Sequence, residues 1–271
     1  MSPDASVPPI LEVSGVDRSF GGVKALQGMD LTLEAGETSA LIGPNGSGKS
    51  TLVNVITRMV DAERGTIRVG GVDVTHEKRH RMARHGVART FQHIRLIPEL
   101  SLRENAAAGA VFHAIARPGA EVRLWAGARR GGRAARAAAD AALDLMEVPV
   151  SARESSPREV PFALQRQTEM ARALAGGPRL VLLDEPAAGM NPAEVAVLLR
   201  LLRAIADTAT ATLLIDHNIE FVMQASERIT VINRGMQIAS GKAEVVRHDP
   251  AVIEAYLGAQ RAKREIDGGT S

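Results

Sequence analysis

The stretch TSALIGPNGSGKST, Thr38 to Thr51, decides the fold. An apolar run, Thr38 to Gly43, leads into a glycine loop, and STLVNVITRMV follows with apolar residues at Leu52, Val55, Ile56 and Met59. That i, i+3, i+4, i+7 spacing predicts a helix with one buried face, so the whole reads strand, loop, helix. In that context Gly43-Pro44-Asn45-Gly46-Ser47-Gly48-Lys49-Ser50 matches G-x-x-x-x-G-K-[ST]. Its glycines let the backbone wrap closely around phosphates, and the helix N-terminus adds partial positive charge. Lys49 is suited to the β- and γ-phosphates and the Ser50 hydroxyl to Mg²⁺, with Thr51 completing the binding set.

Outward from the loop, ILEVSGV and LTLEAGE precede it as short β-like runs broken by turn residues, and GTIRVGGVDV and GVARTFQ follow. A helical lobe begins beyond Gln92, opened by Ser101 and Glu104 in the S-x-x-E arrangement. The α/β pattern returns at PRLVLLDEP, where Leu180 to Leu183 are apolar on both faces, as an interior parallel strand requires. This strand ends in two carboxylates. Asp184 suits the magnesium shell, and Glu185 is placed to polarise a water for in-line attack on the γ-phosphorus. Asn191, Pro192 and Glu194 start a helix with Val195, Leu198, Leu199 and Leu202 on its stripe. ATLLID is the next strand and ends at Asp216-His217; RITVINRGMQIASG reads as a hairpin turning at Arg234-Gly235, and DPAVIEAYLG as a closing helix.

The chain has 271 residues, 45% hydrophobic and 24% charged, enough to bury a substantial core. No run approaches the roughly 20 apolar residues of a membrane span, and MSPDASVPPI lacks the features of a signal peptide, so a soluble, cytosolic chain is expected. Without cysteine there is no disulfide and no thiolate metal site. A net charge of +2 and 3% aromatics argue against nucleic acid as a partner. The basic run Arg117, Arg123, Arg129, Arg130, Arg133 and Arg136 reads as a solvated helical face, with contact to a partner or anionic lipid as the alternative. His76, His80 and His85 sit among arginines, which oppose a cation, so a zinc site is not expected there.

The phosphate loop, LLDEP and the strand ending in Asp216-His217 together resemble the ATP-binding cassette family of transporter ATPases over residues 10 to 258. The resemblance implies an α/β P-loop NTPase (RecA-like) core with a mixed sheet, an N-terminal antiparallel β part and a helical signature subdomain. Residues 9–260 then form one domain, with a core lobe at 9–92 and 176–258, a helical subdomain at about 93–175, and tails at 1–8 and 261–271. By the same resemblance Gln92 senses metal and water, His217 is a switch histidine, and Phe20 stacks on adenine. Catalysis would fall to Glu185, His217, Gln92 and Lys49, with Ser50, Gln92 and Asp184 around Mg²⁺. ARTFQHIRLIPELSLREN, LLDEPAAGMNP and EAYLG look like the ATPase subunits of importers for branched-chain and other hydrophobic amino acids. That likeness implies membrane permease subunits as partners, docked on Gln92 and the segment after it. It also implies a peripheral position on the cytoplasmic face of the inner or plasma membrane, and an indirect link to a substrate-binding protein. The rival readings are a non-transport ATPase acting on nucleic acid and a low-turnover regulatory ATP-binding module.

In this family two subunits close over two ATP molecules, each offering an L-S-G-G-Q loop to its partner's nucleotide. Here VPFAL, Val160 to Leu164, takes that place without serine, glycine or glutamine. Pro161 is expected in the first turn of the following helix, where the amides of Phe162, Ala163 and Leu164 still face an anion. The lost side-chain bond is worth about 1.5–3 kcal/mol, roughly ten- to hundredfold in closure, the alternative being that a proline-bearing loop works adequately through its backbone contacts. The expectation is therefore a heterodimer with a sister ATPase of complete signature, with a homodimer as the alternative. Asn191 also stands where many relatives carry aspartate.

Overall fold

The computed structural model describes residues 8–116 and 128–256. Two sheets enclose one helix. The first is antiparallel, in the order β2-β1-β4-β5, from β1 (Leu11–Phe20), β2 (Val23–Leu33), β4 (Arg64–Val69) and β5 (Val72–Asp73). The second runs β10-β9-β3-β8-β7-β6, from β3 (Thr38–Ile42), β6 (Val87–Arg89), β7 (Leu180–Asp184), β8 (Ala211–Ile215), β9 (Arg228–Asn233) and β10 (Met236–Gly241). Its strands are parallel except β10, which returns antiparallel on β9 with Met236 opposite Asn233, as a hairpin at Arg234-Gly235 requires. This is the mixed-sheet α/β core.

The central strands are buried along almost their whole length because each face meets a different core. On β7, Leu180 and Leu182 join one apolar cluster while Val181 and Leu183 join the other; on β3, Leu41 goes one way and Ala40 and Ile42 the other. Helix α1 (Lys49–Ile56) lies between the two sheets and buries Leu52, Val53, Val55 and Ile56. It stops sooner than the periodicity suggests. Thr57 caps it by donating its hydroxyl to the Val53 carbonyl at 2.8 Å, and Arg58 turns left-handed at φ 57°, which turns Met59 out of the stripe to 40% exposure.

The helical lobe comprises α2 (Leu102–Ala116), α3 (Ala128–Leu145) and α4 (Phe162–Leu174) and shares its apolar cluster with one face of the large sheet. Ser101 and Glu104 form the expected box: each side chain accepts the other residue's backbone N–H, at 3.2 and 2.9 Å. Of the basic run, Arg133 and Arg136 are exposed on α3, Arg136 pairing with Glu154 at 3.1 Å; Arg117, Arg123 and the side chains of Arg129 and Arg130 lie outside the described residues. Helix α5 (Pro192–Asp207) starts on an Asn191–Glu194 capping box. Its buried stripe is Leu198, Leu201, Leu202 and Ile205, shifted from the predicted one because Val195 and Leu199 are only partly covered. Helices α6 (Ile219–Ala225), α7 (Ala243–Arg247) and a last helical segment at 250–256 complete the chain as described.

Candidate nucleotide site

The phosphate loop takes its shape from what surrounds it. Gly43 has φ 154°, and a Cβ there would lie 2.0 Å from the Ile232 carbonyl oxygen; at Gly48, φ 112°, it would lie 2.5 Å from the Ala25 carbonyl oxygen. Only glycine fits at either position. Gly48 is also the N-cap of α1 and offers no side chain to its amides, which leaves the helix end presented to an anion. Ser47 Oγ is buried without a hydrogen-bond partner. Lys49 Nζ donates to the carbonyls of Gly43 at 2.7 Å and Pro44 at 2.9 Å, inside its own loop. Burial lowers the Lys49 pKa, and the Glu185 charge partly opposes that shift. A half-buried ammonium satisfied by carbonyls, an orphaned hydroxyl and a bare helix start make a cradle suited to phosphate.

The carboxylates stand at the end of β7. Asp184 Oδ2 pairs with Arg89 Nη2 at 3.0 Å, and Arg89 Nη1 donates to Asn54 Oδ1 of α1 at 2.8 Å. Glu185 has a left-handed backbone, φ 48°, with its N–H donated to the Ile215 carbonyl at 2.7 Å. Such a conformation in a non-glycine residue costs of order 1–3 kcal/mol. Here it accompanies convergence: Gln92 Nε2 donates to Glu185 Oε2 at 2.9 Å, and His217 Nδ1 approaches the same oxygen at 3.6 Å. Asp216 is buried and accepts the N–H groups of Ala187 at 3.2 Å and Asn218 at 2.9 Å, which pins the turn carrying His217. Gln92 and Glu185 are thus brought together across 93 positions of chain, with His217 beside them.

Phe20 ends β1 at the Gly21-Gly22 turn, 44% exposed, with the Arg18 guanidinium 4.6 Å from its ring centroid. This hairpin borders the loop, since Ala25 of β2 touches Gly48 and the Gln27 N–H donates to the Gly235 carbonyl at 2.8 Å. The donors suited to magnesium are the Ser50 hydroxyl, the Asp184 carboxylate and the Gln92 amide oxygen, all hard oxygens as that ion prefers. His85 of the histidine segment faces Glu77 at 3.4 Å.

At the signature position Pro161 is the N-cap of α4, which begins at Phe162, one residue later than expected, and has no side-chain cap. The first intrahelical bond runs from the Gln165 N–H to the Pro161 carbonyl at 3.2 Å. Two features went unread in the sequence. Arg89 is one; the other is Tyr256, in the last helical segment, which is bonded to the Gly43 backbone, while its burial pushes the phenol up to about 12. The ending EAYLG had pointed to this segment without giving the tyrosine a task.

A phosphate cradle at the mouth of a parallel sheet, facing two strand-end carboxylates and flanked by a helical lobe, defines a nucleotide-binding cassette, and comparison with known proteins agrees. The family profile described as "ABC transporter" matches residues 26–188, more than half of the chain. This chain belongs to the ABC transporter family, and its fold and activity are those of that family's ATPase. A second profile, "Branched-chain amino acid ATP-binding cassette transporter", matches residues 237–262. Among curated relatives, the high-affinity branched-chain amino acid transport ATP-binding protein BraF of Pseudomonas aeruginosa is 38% identical, over 92% of this chain and 98% of its own. LivG of Escherichia coli K12, with the same description, is 36% identical over 92% and 98%. A solved ATP-binding cassette of an ABC transporter in its ADP conformation superposes with TM-score 0.79 at 26% identity, over 92% of this chain and 99% of that one.

Proposed function

We propose that this chain energises an importer for branched-chain or other hydrophobic amino acids, working as one of two ATPase subunits on the cytoplasmic side of permease subunits. The observation that carries the reading is the match of residues 237–262 to the branched-chain profile, on a chain in which Gln92 and His217 converge on Glu185. The transport role of the relatives also disfavours a nucleic-acid or purely regulatory ATPase.

In this reading Lys49 exchanges its two carbonyl partners for the β- and γ-phosphate oxygens of ATP, while Ser47 and the α1 amides line the cradle. Glu185 takes the proton of the attacking water as its oxygen adds to the γ-phosphorus and the bond to ADP breaks. Gln92 and His217, both on Oε2, hold the carboxylate in place. Ser50, Asp184 and Gln92 would hold magnesium, which neutralises charge on the phosphate oxygens when bound. Among the described residues no helix is long and apolar enough to cross a membrane. The docking surface is a groove of about 580 Å³ lined by Met59, Met82, Arg89, Phe91 and the 60% exposed Phe112. It adjoins Gln92 and suits an apolar element of a permease. Uptake of radiolabelled leucine in a strain lacking this chain tests the reading. The wild type restores uptake and Lys49→Ala does not; full uptake with Lys49→Ala would overturn it.

A further inference from the structure

Residues 91–95 leave β6, carry Gln92, and have no regular structure of their own, yet three charged side chains of α4 hold their backbone. Arg166 donates from Nη1 to the Phe91 carbonyl at 3.2 Å and from Nη2 to the Gln92 carbonyl at 3.1 Å. Arg172 Nη1 donates to the Arg95 carbonyl at 2.5 Å, and Glu169 Oε1 accepts the Arg95 N–H at 3.0 Å. The three also bind one another: Glu169 Oε2 meets Arg166 Nη1 at 3.2 Å and Oε1 meets Arg172 Nη2 at 3.5 Å. The Arg166 and Glu169 side chains are 3% and 1% exposed.

A buried ion pair is a poor stabiliser, because desolvation offsets most of the attraction and apolar residues would pack α4 at least as well. What the charges supply is different. They satisfy three carbonyls and one amide of an irregular segment, and although Arg166 Nε itself has no partner, a buried network with this many directed bonds favours one geometry. We propose that Arg166, Glu169 and Arg172 are positioning residues that make residues 91–95 a rigid extension of α4, so that the helical lobe sets the reach of Gln92 to Glu185. This rests on the catalytic reading of Gln92 and Glu185. The 2.9 Å contact between those side chains then has no slack on the Gln92 side. A displacement of α4, which also carries the signature position at its start, is felt at the attacking water.

The chain lacks cysteine, so His93→Cys and Arg133→Cys, both at exposed positions, allow a pair of spin labels without background. Double electron–electron resonance on the nucleotide-free protein is expected to give one narrow distance in the labelled parent and a broadened distribution with Glu169→Gln, a near-isosteric change. In the unlabelled enzyme Glu169→Gln is expected to lower kcat about tenfold while KM for ATP stays within twofold, with an unchanged circular dichroism spectrum. Arg166→Lys should resemble Arg166→Gln, because a single ammonium nitrogen cannot reproduce the planar fork in which Nη1 meets both the Phe91 carbonyl and Glu169 while Nη2 meets the Gln92 carbonyl. An unbroadened distribution, an unchanged kcat, or full activity with Arg166→Lys overturns the proposal. The distance measurement needs no nucleotide, so failure to bind ATP would refute the functional reading while leaving this test intact.

Discussion

Lys49 donates to carbonyls of its own loop, so in the proposed mechanism nucleotide binding is an exchange of partners. Burial depresses its pKa below the ordinary 10.5, whereas phosphate oxygens favour the charged ammonium and raise it again in the complex. Binding therefore takes up a proton at alkaline pH, and ADP affinity should fall as pH rises through the lowered pKa. Calorimetry in two buffers of different ionisation enthalpy measures that uptake directly. Tyr256 offers a second residue-scale reading because it is the chain's single tyrosine. Its phenol, pushed up to about 12 chiefly by burial, should ionise about two units above the ordinary value near 10. A raised folded-state pKa gives stability that is whole below the unfolded value and is lost as pH climbs through the folded one. The tyrosinate absorbance of native protein should thus appear near pH 12, that of unfolded protein near 10, and Tyr256→Phe should abolish the signal.

Among the elements, α4 has two proposed tasks, and its N-cap residue limits one of them. Pro161 sits at the N-cap, where serine would accept a helix amide and offer a hydroxyl to the partner's nucleotide. Pro161→Ser is expected to strengthen ATP-driven dimerisation about tenfold, the lower end of what one charge-assisted bond contributes, as measured by sedimentation in a Glu185→Gln background. The capping boxes at Ser101 and Asn191 were legible in the sequence because every partner lies within three residues. The phosphate loop and the strand-end acids were legible for a similar reason: their chemistry is written contiguously. The early stop of α1 was not, since Arg58 and Thr57 carry no strong breaker signal. Nor was the first half of β2, which follows the Gly21-Gly22 turn and has its alternation interrupted by Gly28 while the pairing with β1 continues through register shifts. The grip of Arg166 on Phe91 and of Arg89 on Asp184 spans 75 and 95 positions, beyond what local pattern can express.

At the scale of the whole molecule, the proposed dimer would place the Gln92–Glu185–His217 cluster and the reduced signature at Val160 to Leu164 in different active sites. In a heterodimer with a sister ATPase of complete signature, Glu185→Gln should remove most steady-state hydrolysis, because it disables the site that has both halves intact. Hydrolysis near the original rate would show that the two sites contribute alike. The sheet order has a further effect, on biosynthesis. β3, which delivers the phosphate loop, lies between β8 and β9, and both are encoded in the last quarter of the chain. During translation the antiparallel sheet can pair early, but the strand carrying the loop waits unpartnered until nearly all of the polypeptide has left the ribosome. Prematurely terminated products should therefore be unable to sequester cellular ATP, and chaperone demand should concentrate on that long interval with an apolar strand left bare.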